Sequence, residues 1–353
     1  EYASIKASAQ AELDFFGNQP TTSENAFFTN GPIRMRHYFL KLETPIVDVL
    51  AGQYHDLFAW GGGFFPNTVA FLGIPGEIYH RNPQARITKV LKTSAVTVEA
   101  AVAAVRPVQR TSEVPDGQGG LKLSINDWKG VRAQGSGQAE IVPLAIGVSG
   151  VVRHFKVNPF SIIPGDYNQT NGWGLAVDAL LPVVPGTVDD MSNTLTLTGE
   201  FTTGKGISDL YSGLSGGAKF PQLPNPLLLI PPPAYVPNID QGIVTYDADG
   251  QLRAIAWQAF VVGLQYHLPI GAGKKLWVSG TFTQHRSNNI LKLTPEAGKG
   301  AIYTKGMYFD GNVFFGITPA TQLDLSYQVT RQTYGDGVTG MNQRAEVAMH
   351  YFF

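Results

Sequence analysis

The chain has 353 residues, 43% of them hydrophobic and 15% charged, with a formal net charge of −1 and no cysteine. That balance excludes a disulfide framework and a thiolate metal centre, and it gives no electrostatic case for nucleic acid. No apolar run approaches the roughly 18 residues of a membrane-crossing helix, so a membrane-spanning chain of this composition has to carry its apolar side chains on alternating strands.

Residues 2–16 alternate strictly, with Ala3, Ile5, Ala7, Ala9, Ala11 and Leu13 on one face and Ser4, Lys6, Ser8, Gln10, Glu12 and Asp14 on the other. Globular strands average about 5–6 residues, so this one is unusually long. Glu1 opens almost directly into it, as a processed or trimmed chain would. A polar stretch leads to a second strand over 32–43, a short turn at Thr44-Pro45 and a third strand over 46–54. A connection then runs from 55 to 81, rich in glycine and too long for a hairpin turn; loops of that length are usually functional.

Further strands are expected near 83–91, 95–106, 120–126, 140–156, 172–181 and 194–203, then 254–266, 275–285, 302–315, 321–333 and 343–353. Two of them are not clean: 95–106 is apolar on both faces, which suits an inner patch packed under an inward-folded loop and an Ala/Val-rich exterior at a subunit interface, and 34–42 changes phase near Tyr38. The segment 204–253 carries Pro221, Pro224, Pro226 and the Pro231-Pro232-Pro233 run, which forbid a ladder strand and place it in an external loop. Within it, 243–246 and 251–255 flank Asp247-Ala248-Asp249-Gly250 as a hairpin. The last strand sets Ala345, Val347, Met349, Tyr351 and Phe353 against Arg344, Glu346 and His350, with aromatics at its end.

Strands with one apolar and one polar face, short turns at one end and long loops at the other are the pattern of an outer-membrane barrel. The fold class expected is therefore all-β: a transmembrane antiparallel β-barrel, residues 1–353 forming one domain. Fourteen strands are countable, and an even number puts both termini on the periplasmic side. Trp173, Trp257 and Trp277 lie near strand ends and read as interface anchors.

With apolar faces outward, Lys6, Arg34, Arg36, Arg86, Lys122 and Arg344 project into the lumen, together with Glu12, Asp14, Glu99, Asp178, Glu200 and Asp324. A cationic wall in a low-dielectric tube attracts anions. Arg81 stands at the end of the 55–81 loop, which, folded inward, would hang near Arg34, Arg36, Arg81 and Arg86 with Asp56 and Glu77 as their available counter-charges, leaving a narrow gap with a transverse field. No catalytic spacing emerges: His154, His285 and Ser287 are the only candidates for a barrel hydrolase, and nothing in their spacing demands one. Asp247-Ala248-Asp249-Gly250 lacks the later ligands of a calcium loop and reads as a turn. No cofactor is expected.

Four blocks in order, Ala11-Glu12-Leu13-Asp14-Phe15-Phe16-Gly17, Ile33-Arg34-Met35-Arg36-His37-Tyr38-Phe39, Ala51-Gly52-Gln53-Tyr54 with Phe58, Pro66 and Gly73, and Arg81-Asn82-Pro83-Gln84-Ala85-Arg86-Ile87, resemble the signature blocks of DcaP-like outer-membrane porins. Tyr351-Phe352-Phe353 resembles the assembly signal shared by outer-membrane barrels, so Tyr351 and Phe353 are its expected residues. The resemblance covers about the first quarter of the chain. It implies a trimeric, sixteen-stranded channel for small, often anionic, solutes such as dicarboxylates. Two departures stand out: the family's N-terminal helical segment is absent, and the Glu-x-Asp-Phe block, similar to a third strand there, falls in the first strand here. An N-terminal hairpin outside the chain would make sixteen strands and turn 55–81 into the third external loop, which constricts such pores; without it, a fourteen-stranded barrel is expected.

The resulting expectation is a passive diffusion porin in the outer membrane of a Gram-negative bacterium, a homotrimer in lipid, passing small anionic solutes. The alternatives are a barrel enzyme of phospholipase type and an adhesin or receptor that uses the 204–253 loop.

Overall fold

The structure, a computed structural model, describes residues 5–15, 33–62, 64, 68–69, 73–109, 112–132, 140–157, 168–214, 242–247, 249–294 and 296–352. Sixteen strands run in chain order: β1 Lys6–Asp14, β2 Arg34–Glu43, β3 Asp48–His55, β4 Arg81–Lys92, β5 Val96–Val105, β6 Asp116–Arg132, β7 Glu140–Val157 and β8 Asn168–Val184. They continue as β9 Leu195–Lys205, the short pair β10 Val244–Tyr246 and β11 Leu252–Ala254, then β12 Ala256–His267, β13 Leu276–Ser287, β14 Tyr303–Thr318, β15 Thr321–Tyr334 and β16 Thr339–Tyr351. All but β10 and β11 form one 14-stranded antiparallel sheet in sequence order. β10 and β11 are the hairpin expected around Asp247, whose carboxylate accepts from the Asp249 and Gln251 N–H groups at 3.1 and 2.8 Å and meets Arg253 at 2.6 Å.

Alternation settles which face is which. Along β8 and β9 every second residue is buried, while Leu175, Val177, Leu197 and Phe201 between them are exposed. The same outward band continues through Leu264, Phe309, Val313 and Leu325. So much contiguous apolar surface suits hydrocarbon rather than water. No helix of the described residues is long and apolar enough to cross a membrane.

The phase change in the second strand has a local cause. The β1–β2 register shifts between Glu12 and Leu13, so that Glu12 faces His37 and Leu13 faces Met35, leaving Arg36 as the extra residue of a β-bulge. A bulge puts two successive residues on one side of the sheet. Arg36 and His37 therefore share the inner face, and Tyr38, Leu40 and Leu42 are exposed outside. The Gln53 amide donates to the Met35 and Arg36 carbonyls at 2.9 and 3.0 Å, satisfying the oxygens that the bulge frees from the ladder.

A closed barrel is not what the strands form. β1 and β16 are the two edges of the sheet, each paired on one side, so a seam runs along the wall between them. The tryptophans also divide: Trp173 is exposed on the outer face, whereas Trp257 and Trp277 are buried inside and are not interface anchors. Trp277 stacks between His267 and Phe314 with centroids 5.3 and 5.4 Å away, and Trp257 stacks on Tyr303. Their alternation phase, not their position near strand ends, fixes this.

Candidate functional site: a loop across the lumen

The connection from Asp56 to His80 folds inward. Buried main-chain N–H groups need acceptors, and the inner wall supplies them: Leu57 and Phe58 donate to the Gln118 side-chain oxygen at 2.7 and 2.9 Å, and Ala59 donates to Ser149 Oγ at 2.7 Å. The 3₁₀ turn Phe58–Gly62 holds Ala59, Trp60 and Gly61 in left-handed conformation. Its rings sit over glycines of the wall. A Cβ on Gly147 would lie 2.6 Å from the Trp60 ring, one on Gly120 3.0 Å from it, and one on Gly174 2.8 Å from Phe58. Ala101, Ala103 and Val105 of β5 pack under Leu57 and Trp60, which explains why that strand is apolar on both faces.

From there the loop reaches the far wall. Thr68 Oγ1 donates to Asp310 at 2.6 Å and the Val69 N–H to Asn312 Oδ1 at 3.3 Å, both on β14. Thr283 of β13 donates to the Pro75 carbonyl at 2.5 Å. Returning past β9, Gly76 donates to Ser212 O at 3.0 Å, Ser212 to Glu77 O at 2.8 Å, and Ile78 to Glu200 Oε1 at 2.9 Å. Gly73 and Gly76, at φ 81° and 92°, provide the reversals. The loop thus divides the lumen.

On the β2–β4 side stand the arginines. Arg34 pairs with Asp14 at 2.5 Å; Arg36 pairs with Glu12 at 2.5 Å and with Asp14 at 3.3 Å, and lies 3.4 Å from the Tyr79 hydroxyl. Arg81 donates to the same hydroxyl and lies 4.6 Å from the Tyr79 ring centroid. Arg86 donates to Gln84 at 3.0 Å and to the His55 carbonyl, and lies 5.5 Å from the Tyr54 ring centroid. Among the described residues neither Arg81 nor Arg86 has a carboxylate within 4.0 Å, and Arg81 Nε is buried without a partner.

The remaining predicted residues are distributed. Lys122 pairs with Glu99 at 2.8 Å and lies 4.9 Å from the Trp60 ring centroid, and Arg344 pairs with Glu346 at 3.2 Å on β16. Asp56 is buried against Asn82 at 3.0 Å, His80 at 3.5 Å and Gln118 at 3.4 Å. Glu77 is buried on the opposite side, near Glu200 and Asp310. The counter-charges of Arg34 and Arg36 are thus Glu12 and Asp14, not Asp56 and Glu77. His154 meets Asn171, His285 meets Tyr303 and Ser287 meets the Ala256 carbonyl, so the structure does not assemble them. Tyr351 is exposed at the end of β16, and Phe353 lies outside the described residues.

Sequence reasoning missed Tyr79, two residues before Arg81, although it is the hub of the arginines. It also missed a buried ion cluster on β7. There Arg153, 1% exposed, is held by Asp116 at 2.9 Å, by both oxygens of Asp209 at 2.5 and 2.8 Å, and by the Gly206 carbonyl at 2.8 Å. This clamps the start of the 204–253 connection beside a buried apolar cluster that includes Phe58, Ile78, Leu210, Trp257 and Ile290. Most of the proline-rich part of that loop lies outside the described residues.

No protein-family model matches the chain, and no curated protein sequence does. Among solved structures it is similar to the outer membrane channel DcaP of Acinetobacter baumannii, at 17% identity over 100% of this chain and 82% of that one, with a TM-score of 0.64. OmpT of Vibrio cholerae in its trimer form is matched at 11% identity, over 92% of this chain and 82% of that one, with a TM-score of 0.45. The DcaP likeness shows a shared fold: the 14-stranded antiparallel sheet follows the wall of a β-barrel, left open between β1 and β16.

Proposed function

We propose that the chain is a passive diffusion porin of a Gram-negative outer membrane, selective for small anionic solutes of the carboxylate class. The observation that carries this reading is the pair Arg81 and Arg86, facing the inner side of the wall beside the inward-folded loop without a carboxylate partner. Guanidinium groups whose present contacts are tyrosines, an amide and a main-chain oxygen have donors to turn toward a carboxylate, and their fork geometry suits it. Arg34 and Arg36, neutralised by Asp14 and Glu12, hold the approach without adding net charge. DcaP, whose fold this chain shares, is an outer membrane channel, which supports the transport reading.

Two further strands in the seam would give β1 and β16 partners, since unpaired edge groups are costly in hydrocarbon. The small outward residues Ala7, Ala9 and Ala11 leave a flat face beside that seam, which supports a homotrimer in which a neighbouring barrel covers it.

Planar-bilayer recordings under a salt gradient test the selectivity. The parent channel is expected to give a reversal potential of anion-selective sign. Replacing Arg81 and Arg86 by alanine is expected to bring it close to zero. Adding Arg34→Ala and Arg36→Ala, which removes the guanidinium groups beside Glu12 and Asp14, is expected to reverse it. Cation selectivity in the parent, or an unchanged potential in the fourfold variant, rules the assignment out.

A further inference from the structure

The wall opposite the arginines is acidic and unpaired. Asp178 and Glu200 are register partners on β8 and β9, and both are buried. Neither oxygen of Asp178 has a hydrogen-bond partner, and Glu200 uses only Oε1, which accepts from the Ile78 N–H of the loop. Asp310 on β14 accepts from Thr68 and from the Tyr308 hydroxyl at 3.1 Å. Into this field the loop inserts Glu77, 3% exposed, with Oε1 accepting weakly from the Ile74 N–H at 3.4 Å and Oε2 unpartnered. Among the described residues no lysine or arginine lies within 4.0 Å of any of these four carboxyl groups. The other titratable groups packed here are Tyr211 of the external segment, bonded to Thr202, and His285 of β13, bonded through Nε2 to Tyr303. Among the described residues no lysine or arginine offsets a charge on Glu77.

We propose that Glu77 is a proton-operated latch of the pore loop: protonated, it lets residues 73–79 seat against β9 and β14, and its ionisation releases that segment and widens the pore. A neutral carboxyl at this position costs only its imperfect hydrogen bonding. An ionised one faces Glu200 and Asp310 in a dry site, where like charges repel strongly. Burial first, and then the neighbouring Asp310 charge, push the Glu77 carboxyl up to about 8. Because the seated form holds its proton more tightly than the released one, the seated state is favoured at low pH. It loses ground progressively above the ordinary glutamate range, the loss levelling off once the pH has passed about 8.

The seating is carried by the Ile78 N–H bond to Glu200 and the Ser212 N–H bond to the Glu77 carbonyl, so amide exchange at those two positions reports it directly. In the full chain, exchange protection at Ile78 and Ser212, corrected for the intrinsic rate, is expected to fall roughly a hundredfold or more between pH 5 and pH 9 by linkage. Glu77→Gln is expected to keep its protection at pH 9, and Asp310→Asn, which removes the charge facing Glu77, to shrink the loss and level it off at lower pH. In bilayers the parent current is expected to rise and flicker over the same range, while the Gln variant stays steady. The current readout rests on the porin reading, and the exchange readout does not. Protection that is constant with pH in the parent, or lost equally in Glu77→Gln, overturns the latch. If Glu77→Gln does not fold, a loss of undiminished size in Asp310→Asn overturns it instead.

Discussion

Leucine in place of Gly147 is expected to drive Trp60 off the inner wall and raise the single-channel conductance severalfold. The glycine sits on β7, which is hydrogen-bonded to β6 on one side and β8 on the other, so its backbone has nowhere to retreat. A Cβ there meets Trp60 Cδ1 at 2.6 Å, Nε1 at 2.9 Å and Phe64 at 3.3 Å, before any larger atom is added. Forcing side chains into a packed site costs about 1–3 kcal/mol. The wall carries a continuous ladder and the loop does not, so the loop moves. With Trp60 displaced, the cation–π contact with Lys122 is lost and the turn Phe58–Gly62 loses its seat. Gly311 on β14, where a Cβ meets nothing within 4 Å, is the control, and Gly311→Ala is expected to leave conductance unchanged. Parent-like conductance in Gly147→Leu, with the barrel intact by circular dichroism, contradicts the packing argument.

Removing Arg153 is expected to destabilise the protein by about 3–5 kcal/mol, because it strands buried carboxylates. Asp116 and Asp209 approach it from different elements, and the guanidinium also satisfies the Gly206 carbonyl. Arg153→Lys does not rescue, since one ammonium cannot reproduce the fork that engages both oxygens of Asp209. Arg153→Met combined with Asp116→Asn and Asp209→Asn is expected to recover much of the loss, as apolar and neutral groups carry no unpaired charge into the site. Thermal unfolding, together with limited proteolysis around residues 206–214, checks both statements. An Arg153→Ala protein as resistant as the parent contradicts them.

The strands were legible because alternation is a local property, imposed on each segment by facing hydrocarbon on one side and the lumen on the other. Even the irregularities left traces: the change of phase near Tyr38 marks the bulge at Arg36, and the doubly apolar 95–106 marks the contact with Leu57 and Trp60. Lumen orientation of Arg34, Arg36, Lys122 and Arg344 follows from the same rule.

What alternation does not encode is which inward residues meet. Glu12 and Asp14 are far in sequence from the 55–81 loop, and only the β1–β2 register brings them to Arg36 and Arg34. Gly120, Gly147 and Gly174 carry no side chain to signal that each leaves room for a ring. Trp257 and Trp277 mislead because an aromatic near a strand end suits the membrane interface and the lumen equally well, until the phase of the strand is known.

The seam between β1 and β16 also bears on how fast the molecule forms. Nearly every ladder joins strands that are neighbours along the chain, and only the β9–β12 pairing must step across an inserted hairpin. Such a sheet grows by local additions, each closing a short loop. Completing the wall is a different kind of event, because the edges carrying Asp14 and Thr339, the first and last of the sheet, have to be brought to the two sides of one seam. The entropic cost of that last closure is modest, rising only about 0.6 kcal/mol for each doubling of loop length. The search behind it is slow, as for any topology whose final contacts are the most distant in sequence. Refolding is therefore expected to show fast gain of strand signal followed by a slow phase, and during the interval the two raw edges are the sites at which one sheet would add to another.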